Sequence, residues 1–228
     1  MSLGFDAVLF DCDGVLVDSE PITNGVLHTM LVERGWALSA QDCWNHFIGK
    51  AVKDESALIE HHTGQPVTDV WLASFRARRD AALHELLEPI HGIHEALKLV
   101  EQGFGEAMAC ASGADRGKVE LQLRKTGLMP YFEGRIFSGH EMPRSKPAPD
   151  VYLAAARALG VQADRCAVVE DTVTGVTAGV AAGATVFAYS PPAAGAFSAD
   201  ALREAGATHI FRRMQHLPEL LMGGRNHG

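Results

Sequence analysis

Ala7-Val8-Leu9-Phe10-Asp11-Cys12-Asp13-Gly14 runs four apolar residues straight into an acidic turn. An unbroken apolar run of this kind belongs to a strand buried on both faces, as in parallel sheets, rather than to a half-exposed antiparallel strand. Ligands of an open parallel sheet bind beyond the carboxyl ends of its strands, so the turn lies where chemistry is expected. Side chains alternate along extended backbone, which lets the Asp11 and Asp13 carboxylates face one site from either side of Cys12. Gly14 sharpens the turn.

Downstream the pattern turns helical. Between residues 21 and 35, Ile22, Val26, Leu27, Met30 and Leu31 recur at helical spacing, and Gly35 supplies a stop. Ser39 and Asp42 have the spacing of a capping box ahead of a helix over 43–47. A helix over 54–63 ends at Gly64, and a long one over 68–87 ends before Pro89. After Pro89, short apolar strands at 107–111, 136–137, 167–169, 185–189 and 208–211 alternate with helices. The helices fall at 93–101, 118–125, 150–159, 174–182, 199–205 and 217–222. Such alternation predicts a parallel sheet. The first strand has no partner in the helical segment, so it pairs with the later strands and the segment becomes an insert. The expected architecture is α/β: a Rossmann-like parallel-sheet core from residues 1–17 and 88–228, with a helical-bundle cap of residues 18–87 inserted after the first strand. Gly175, Gly179 and Gly183 recur every fourth residue, a stripe expected to pack closely along its helix and bring the preceding acidic loop toward Asp11.

Other strand ends carry polar groups too: Ser112 after the second, Lys146 beyond the third, Glu170-Asp171 after the fourth. Each has an ordinary explanation alone. A D-x-D pair serves turns and calcium loops, Ser112-Gly113 or Glu170-Asp171 can cap the next helix, and a lone lysine is usually a surface residue. Ser145-Lys146-Pro147-Ala148-Pro149-Asp150, however, is a rigid loop that fixes its lysine just before a helix start. Their conjunction at one sheet edge is what carries weight. Four carboxylates gathered together call for a cation, and an all-oxygen donor set favours Mg²⁺, which attracts phosphate. Ionised Asp11 then attacks phosphorus to give an aspartyl-phosphate, while Asp13 protonates the leaving oxygen and later deprotonates water. Lys146 and Ser112 hold the phosphoryl oxygens.

In order and spacing, the segments 11–20 (Asp-Cys-Asp-Gly-Val-Leu-Val-Asp-Ser-Glu), Ala111-Ser112-Gly113, Ser145 to Asp150 and Val168-Val169-Glu170-Asp171-Thr172 resemble the four motifs of the haloacid dehalogenase-like hydrolases. The resemblance implies Asp11 as nucleophile and Asp13 as acid/base. It also implies a magnesium site from Asp11, the Asp13 carbonyl and Asp171, with Glu170 in or beside it. The insert is similar to the cap of the β-phosphoglucomutase-like subfamily, and residues 137–147 resemble 6-phosphogluconate and related sugar phosphatases. Asp13 argues against carbon–halogen hydrolysis, and Thr23 stands where the mutases carry a histidine. Lys50 and Lys53 occupy a segment that in phosphonatases holds a Schiff-base lysine, but a contact with substrate phosphate or hydroxyl is expected here. Cap residues Glu20, Lys50, Lys53, Arg76 and Arg79 are the candidates for substrate choice.

Composition bounds the rest. The 28 acidic against 20 basic residues give a net charge of −8 with no basic stripe, which argues against nucleic acid. No apolar run is long enough for a membrane span and the start lacks a signal-peptide pattern, so a soluble cytoplasmic protein is expected. Its expected partner is a small phosphorylated metabolite, and its state a monomer or weak dimer. Cys12, Cys43, Cys110 and Cys166 are scattered, hence reduced small hydrophobes rather than disulfides or a zinc site. Cys110 and Arg116 have the spacing of thiol phosphatases, but Cys110 sits inside an apolar strand and the loop after it offers a single glycine to turn its amides toward phosphate. A receiver-like phosphoacceptor module would lack both the helical insert and Asp13.

Overall fold

The computed structural model describes residues 4–192 and 197–223. Its elements in chain order are β1 (Ala7–Phe10), α1 (Glu20–Glu33), α2 (Ala40–Phe47), α3 (Ser56–Thr63), α4 (Asp69–Leu86), α5 (Ile93–Phe104), β2 (Met108–Ser112) and α6 (Arg116–Lys125). There follow α7 (Met129–Phe132), β3 (Ile136–Ser138), α8 (Asp150–Ala158), β4 (Cys166–Glu170), α9 (Val173–Ala181), β5 (Thr185–Tyr189), α10 (Ala199–Glu204), β6 (His209–Phe211) and α11 (Leu217–Met222). They form two compact units, one of Met1–Val17 with Pro89–Gly228 and one of Asp18–Glu88. Glu88, counted with the sheet in the sequence reading, falls with the helices because its carbonyl accepts the Asp18 N–H at 3.0 Å.

The first unit holds one six-stranded sheet of order β3-β2-β1-β4-β5-β6, parallel throughout. This is the Rossmann-like arrangement expected from the alternation of strands and helices. The chain winds outward from β1 to β3, returns to the other side of β1 and winds outward again to β6, so the switch point lies between β1 and β4. Both strands are fully buried. On one face Leu9 and Val168 pack among Val151, Tyr152, Ala155 and Val176. On the other, Phe10 meets the Phe132 ring edge-on at 5.8 Å between centroids. All four cysteines are buried and free.

The second unit contains α1 to α4 around a core of Leu27, Leu31, Trp36, Cys43, Phe47, Ile59 and Phe75. Its helix ends follow the expected chemistry. Ser39 and Asp42 form the capping box, Gly35 and Gly64 take left-handed φ of 90° and 66°, and Thr68 Oγ1 accepts the Trp71 N–H at 3.2 Å. The helix expected from residue 54 begins only at Ser56, because residues 51–55 form successive turns. Among the described residues no helix is long and apolar enough to cross a membrane.

Candidate active site

The β1/β4 switch point gathers the acidic residues. Asp11 follows β1, is 6% exposed and donates its N–H to the Val169 carbonyl at 2.9 Å, extending the ladder one residue. Glu170 ends β4 and is 1% exposed. One carboxylate oxygen from each of Asp11, Glu170 and Asp171 lies within 4.8 Å of the others.

Such a cluster is untenable without positive charge, and Lys146 provides it. Its Nζ donates to Asp11 Oδ1 at 2.6 Å, Glu170 Oε1 at 2.7 Å and the Ala111 carbonyl at 3.0 Å. Lys146 also lies 2.8 Å from the hydroxyl of Tyr152, which reaches Glu170 Oε1 at 2.8 Å. The proline-stiffened loop that precedes α8 thus delivers Lys146, and the first turn of α8 delivers Tyr152. Burial pushes the Asp11 carboxyl up to about 7, against the pull of the Lys146 charge. Burial pushes Glu170 the same way, but the Lys146 charge and bonds from Lys146, Tyr152 and the Thr172 N–H outweigh it and hold Glu170 below its usual value. For Lys146 itself, burial is overcome by Asp11 and Glu170, so it remains an ammonium.

Asp13 is handled differently. The expectation of four carboxylates in one group is corrected: its side chain is held by α6 and lies outside the three-carboxylate set. Asp13 Oδ1 accepts from Lys118 Nζ at 2.7 Å and Gln122 Nε2 at 2.8 Å. Asp13 sits in a turn closed by bonds from the Leu16 and Val17 N–H groups to the Cys12 carbonyl.

Two glycines make the crowding possible. A Cβ on Gly14, whose φ is +76°, would lie 2.0 Å from Asp171 Oδ2, and one on Gly175 would lie 1.7 Å from Glu170 Oε1. Only the bare backbone admits these carboxylates. The expected stripe therefore divides by role. Gly175 clears space for Glu170, Gly179 packs against Val186 and Val168, and Gly183 lies past α9 with φ +85° and no heavy atom near its Cβ position.

Helix capping also differs from the simple readings. Asp115, not Ser112, caps α6 by accepting the Lys118 N–H at 3.0 Å, and Thr172, not Glu170 or Asp171, caps α9 by accepting the Gly175 N–H at 3.0 Å. Ser112 ends β2, is 1% exposed, and accepts the Ala114 N–H at 3.1 Å. Glu170 Oε2 instead receives the N–H groups of Asp171 and Thr172 and the Thr172 hydroxyl. Cys110 is buried in β2.

The structure brings together Asp11, Lys146, Glu170 and Asp171. Asp13 and Ser112 lie in the same unit, and the remaining candidates lie in the helical unit. Glu20 opens α1, Lys50 pairs with Glu55 at 3.1 Å, Lys53 and Arg76 are exposed, and Arg79 is buried beside Asp80 at 2.7 Å. Sequence reasoning missed Lys118, Gln122 and Tyr152. The available signal was two polar residues four apart, each preceding an apolar one, Val119 and Leu123, on the helix after Ser112.

Carboxylates of Asp11, Glu170 and Asp171 form an oxygen-only donor set, and the absent Gly14 side chain leaves the approach of Asp171 clear. The residues therefore fit a hard divalent cation.

A family model described as haloacid dehalogenase-like hydrolase matches residues 5–183. The chain is 31% identical over 186 residues to 6-phosphogluconate phosphatase of Escherichia coli, covering 81% of this chain and 82% of the relative. It is 31% identical over 198 residues to hexitol phosphatase A of the same species, covering 81% and 83%. Among solved structures, a HAD family hydrolase from Deinococcus radiodurans with bound phosphate and sodium superposes with a TM-score of 0.77 at 34% identity, covering 96% of each chain.

Proposed function

This chain belongs to the haloacid dehalogenase-like hydrolases, and on that premise we propose that it is a magnesium-dependent phosphomonoester hydrolase acting on a small sugar phosphate or sugar-acid phosphate through an aspartyl-phosphate at Asp11. The observation that carries the reading is the Lys146 ammonium bridging Asp11 and Glu170 inside a buried three-carboxylate group at the sheet's switch point. The names of the two Escherichia coli relatives support the substrate class, and the phosphate in the Deinococcus structure supports phosphoryl chemistry.

Asp11, the Asp13 carbonyl and Asp171 would hold Mg²⁺, with Glu170 fixed beside them by Lys146, Tyr152 and Thr172. When bound, the ion neutralises charge on the phosphoryl oxygens and keeps Asp11 ionised despite its burial. An Asp11 oxygen forms the new bond to phosphorus as the ester oxygen leaves, and Asp13 gives that oxygen a proton. Asp13 then takes a proton from the water that attacks phospho-Asp11, releasing phosphate and restoring the Asp11 carboxylate and the protonated Asp13. Lys146 and Ser112 bind the phosphoryl oxygens. Glu20, Lys50, Lys53 and Arg76 contact the rest of the substrate.

A phosphate-release screen over sugar phosphates, sugar-acid phosphates, bisphosphates and phosphonates, with magnesium or chelator, tests the reading. Activity should require the metal, and Asp11→Asn should reduce it by a factor of about a thousand or more. Acid-quenched protein should carry phosphate on Asp11. Near-normal turnover by Asp11→Asn defeats the proposal.

A further inference from the structure

Helix α6 offers a feature that the phosphatase chemistry has not used. Lys118 and Gln122 stand one turn apart on it, 6% and 0% exposed, and both donate to the same oxygen, Oδ1, of Asp13. Burying an ammonium and an amide costs free energy, and an ion pair of this kind seldom repays the cost in stability. The arrangement is also specific. The Cys12 thiol lies 3.4 Å from Gln122 Oε1, so that oxygen is the acceptor and Nε2 is turned to Asp13. The Gln122 side chain thereby ties together the two residues that follow Asp11. The Lys118 ammonium and the Gln122 amide nitrogen are donors only. Two donors on one oxygen fix the orientation of the Asp13 carboxyl.

We propose that Lys118 and Gln122 are positioning residues that fix the rotation of the Asp13 carboxyl relative to the departing ester oxygen. The inference rests on the phosphatase reading and adds to it two residues outside the four motifs. In the first step Asp13 passes its proton to the ester oxygen as the P–O bond breaks, leaving a carboxylate on Asp13 and an alcohol as product. A leaving group that departs as a stable anion has little need of that proton, whereas an alkoxide cannot leave well without it.

The test compares kcat/KM for a hexose 6-phosphate and for p-nitrophenyl phosphate, with magnesium present, in wild type, Lys118→Met and Gln122→Met. Because both substrates are read on the same sample, their ratio is independent of the fraction folded. The ratio should fall by about 30-fold or more in each variant, most of the loss lying in the sugar phosphate. Asp13→Asn should lower it at least as far, and Gln122→Met added to Asp13→Asn should lower it no further. An unchanged ratio in both variants, with wild type active, overturns the assignment and leaves the phosphatase reading standing. Wild type inert toward every phosphate ester overturns that reading, and this inference falls with it.

Discussion

The charged group at the sheet edge and the surface ion pairs of the helical unit are built in opposite ways. In the sheet unit, Asp11, Lys118, Lys146 and Glu170 are withdrawn from solvent and bonded to one another or to neighbouring residues at the carboxyl ends of the strands. In the helical unit the pairs Lys50–Glu55 and Arg78–Glu33 sit at the surface, with both Arg78 and Glu33 about half exposed. A buried pair gives little net stability while intact, but becomes expensive when one partner is removed. An exposed pair is cheap to make and to lose. The sheet unit therefore tolerates little change in its chemistry, while the exposed residues of the helical unit can vary without endangering the fold. In the proposed function, reaction type and substrate choice thereby fall to residues under different physical constraints.

Lys146→Met is the severest test of the contrast. It leaves Asp11 and Glu170 buried beside each other without the counter-charge, at a cost of about 3–5 kcal/mol, and removes a donor to the phosphoryl oxygens, lowering kcat by about 100-fold or more. Arg78→Ala, which breaks the exposed pair, should change stability by less than about 1 kcal/mol. Urea unfolding of both variants, with phosphate release for the first, checks the pair. Equal losses of stability would erase the distinction between the units.

Glycines sharpen it. Gly175→Ala drives a Cβ into the Glu170 carboxylate and displaces the group that anchors Lys146 and Tyr152. A loss of about 2 kcal/mol or more and a drop in activity of about tenfold or more are expected. Gly25 lies inside α1 with no heavy atom within 4 Å of its Cβ position. There alanine should stabilise by about 0.5–1 kcal/mol, since glycine wastes backbone entropy in an open helix interior. Thermal melts of the two variants should move in opposite directions, and a shift the same way in both would remove glycine as a marker of the site.

Much of the fold was legible because apolar strands and helix stops are local signals. The run 7–10, the alternation after Pro89 and the capping residues each act over a few positions. The clustering of charged residues at the strand ends was legible for the same reason, since a parallel strand of known direction ends at the ligand edge. Lys118, Gln122 and Tyr152 reach the site from helix faces. Which face turns inward depends on packing against a sheet whose order no single segment encodes. The capping roles of Asp115 and Thr172 were missed because each lies within three residues of an equally plausible Ser, Glu or Asp. Only the observed helix starts, Arg116 and Val173, separate the capping residue from its neighbours. Gly183 extended the apparent stripe because its spacing is the same whether the helix continues or stops.

The smallest effect belongs to the feature read most directly from sequence, the capping box of α2. Ser39 Oγ accepts the Asp42 N–H at 3.1 Å, and Asp42 Oδ2 accepts from the Ser39 hydroxyl at 2.7 Å and its N–H at 3.4 Å. Those bonds from Ser39 hold the Asp42 carboxyl below its usual value of 3.8, opposite in direction to Asp11, which burial pushes up. A carboxyl whose pKa is lower folded than unfolded contributes stability above the unfolded value and loses it as pH falls through the folded one. Ser39→Ala should therefore lower the melting temperature by about 2–4 °C at pH 7, and the gap from wild type should narrow as pH falls below about 4. The sheet unit's phosphate release at pH 7 should stay at the wild-type rate. A gap that widens in acid would mean that Asp42 stabilises the helix as a neutral donor, and the pairing of exposed charge with small, independent effects would no longer describe this unit.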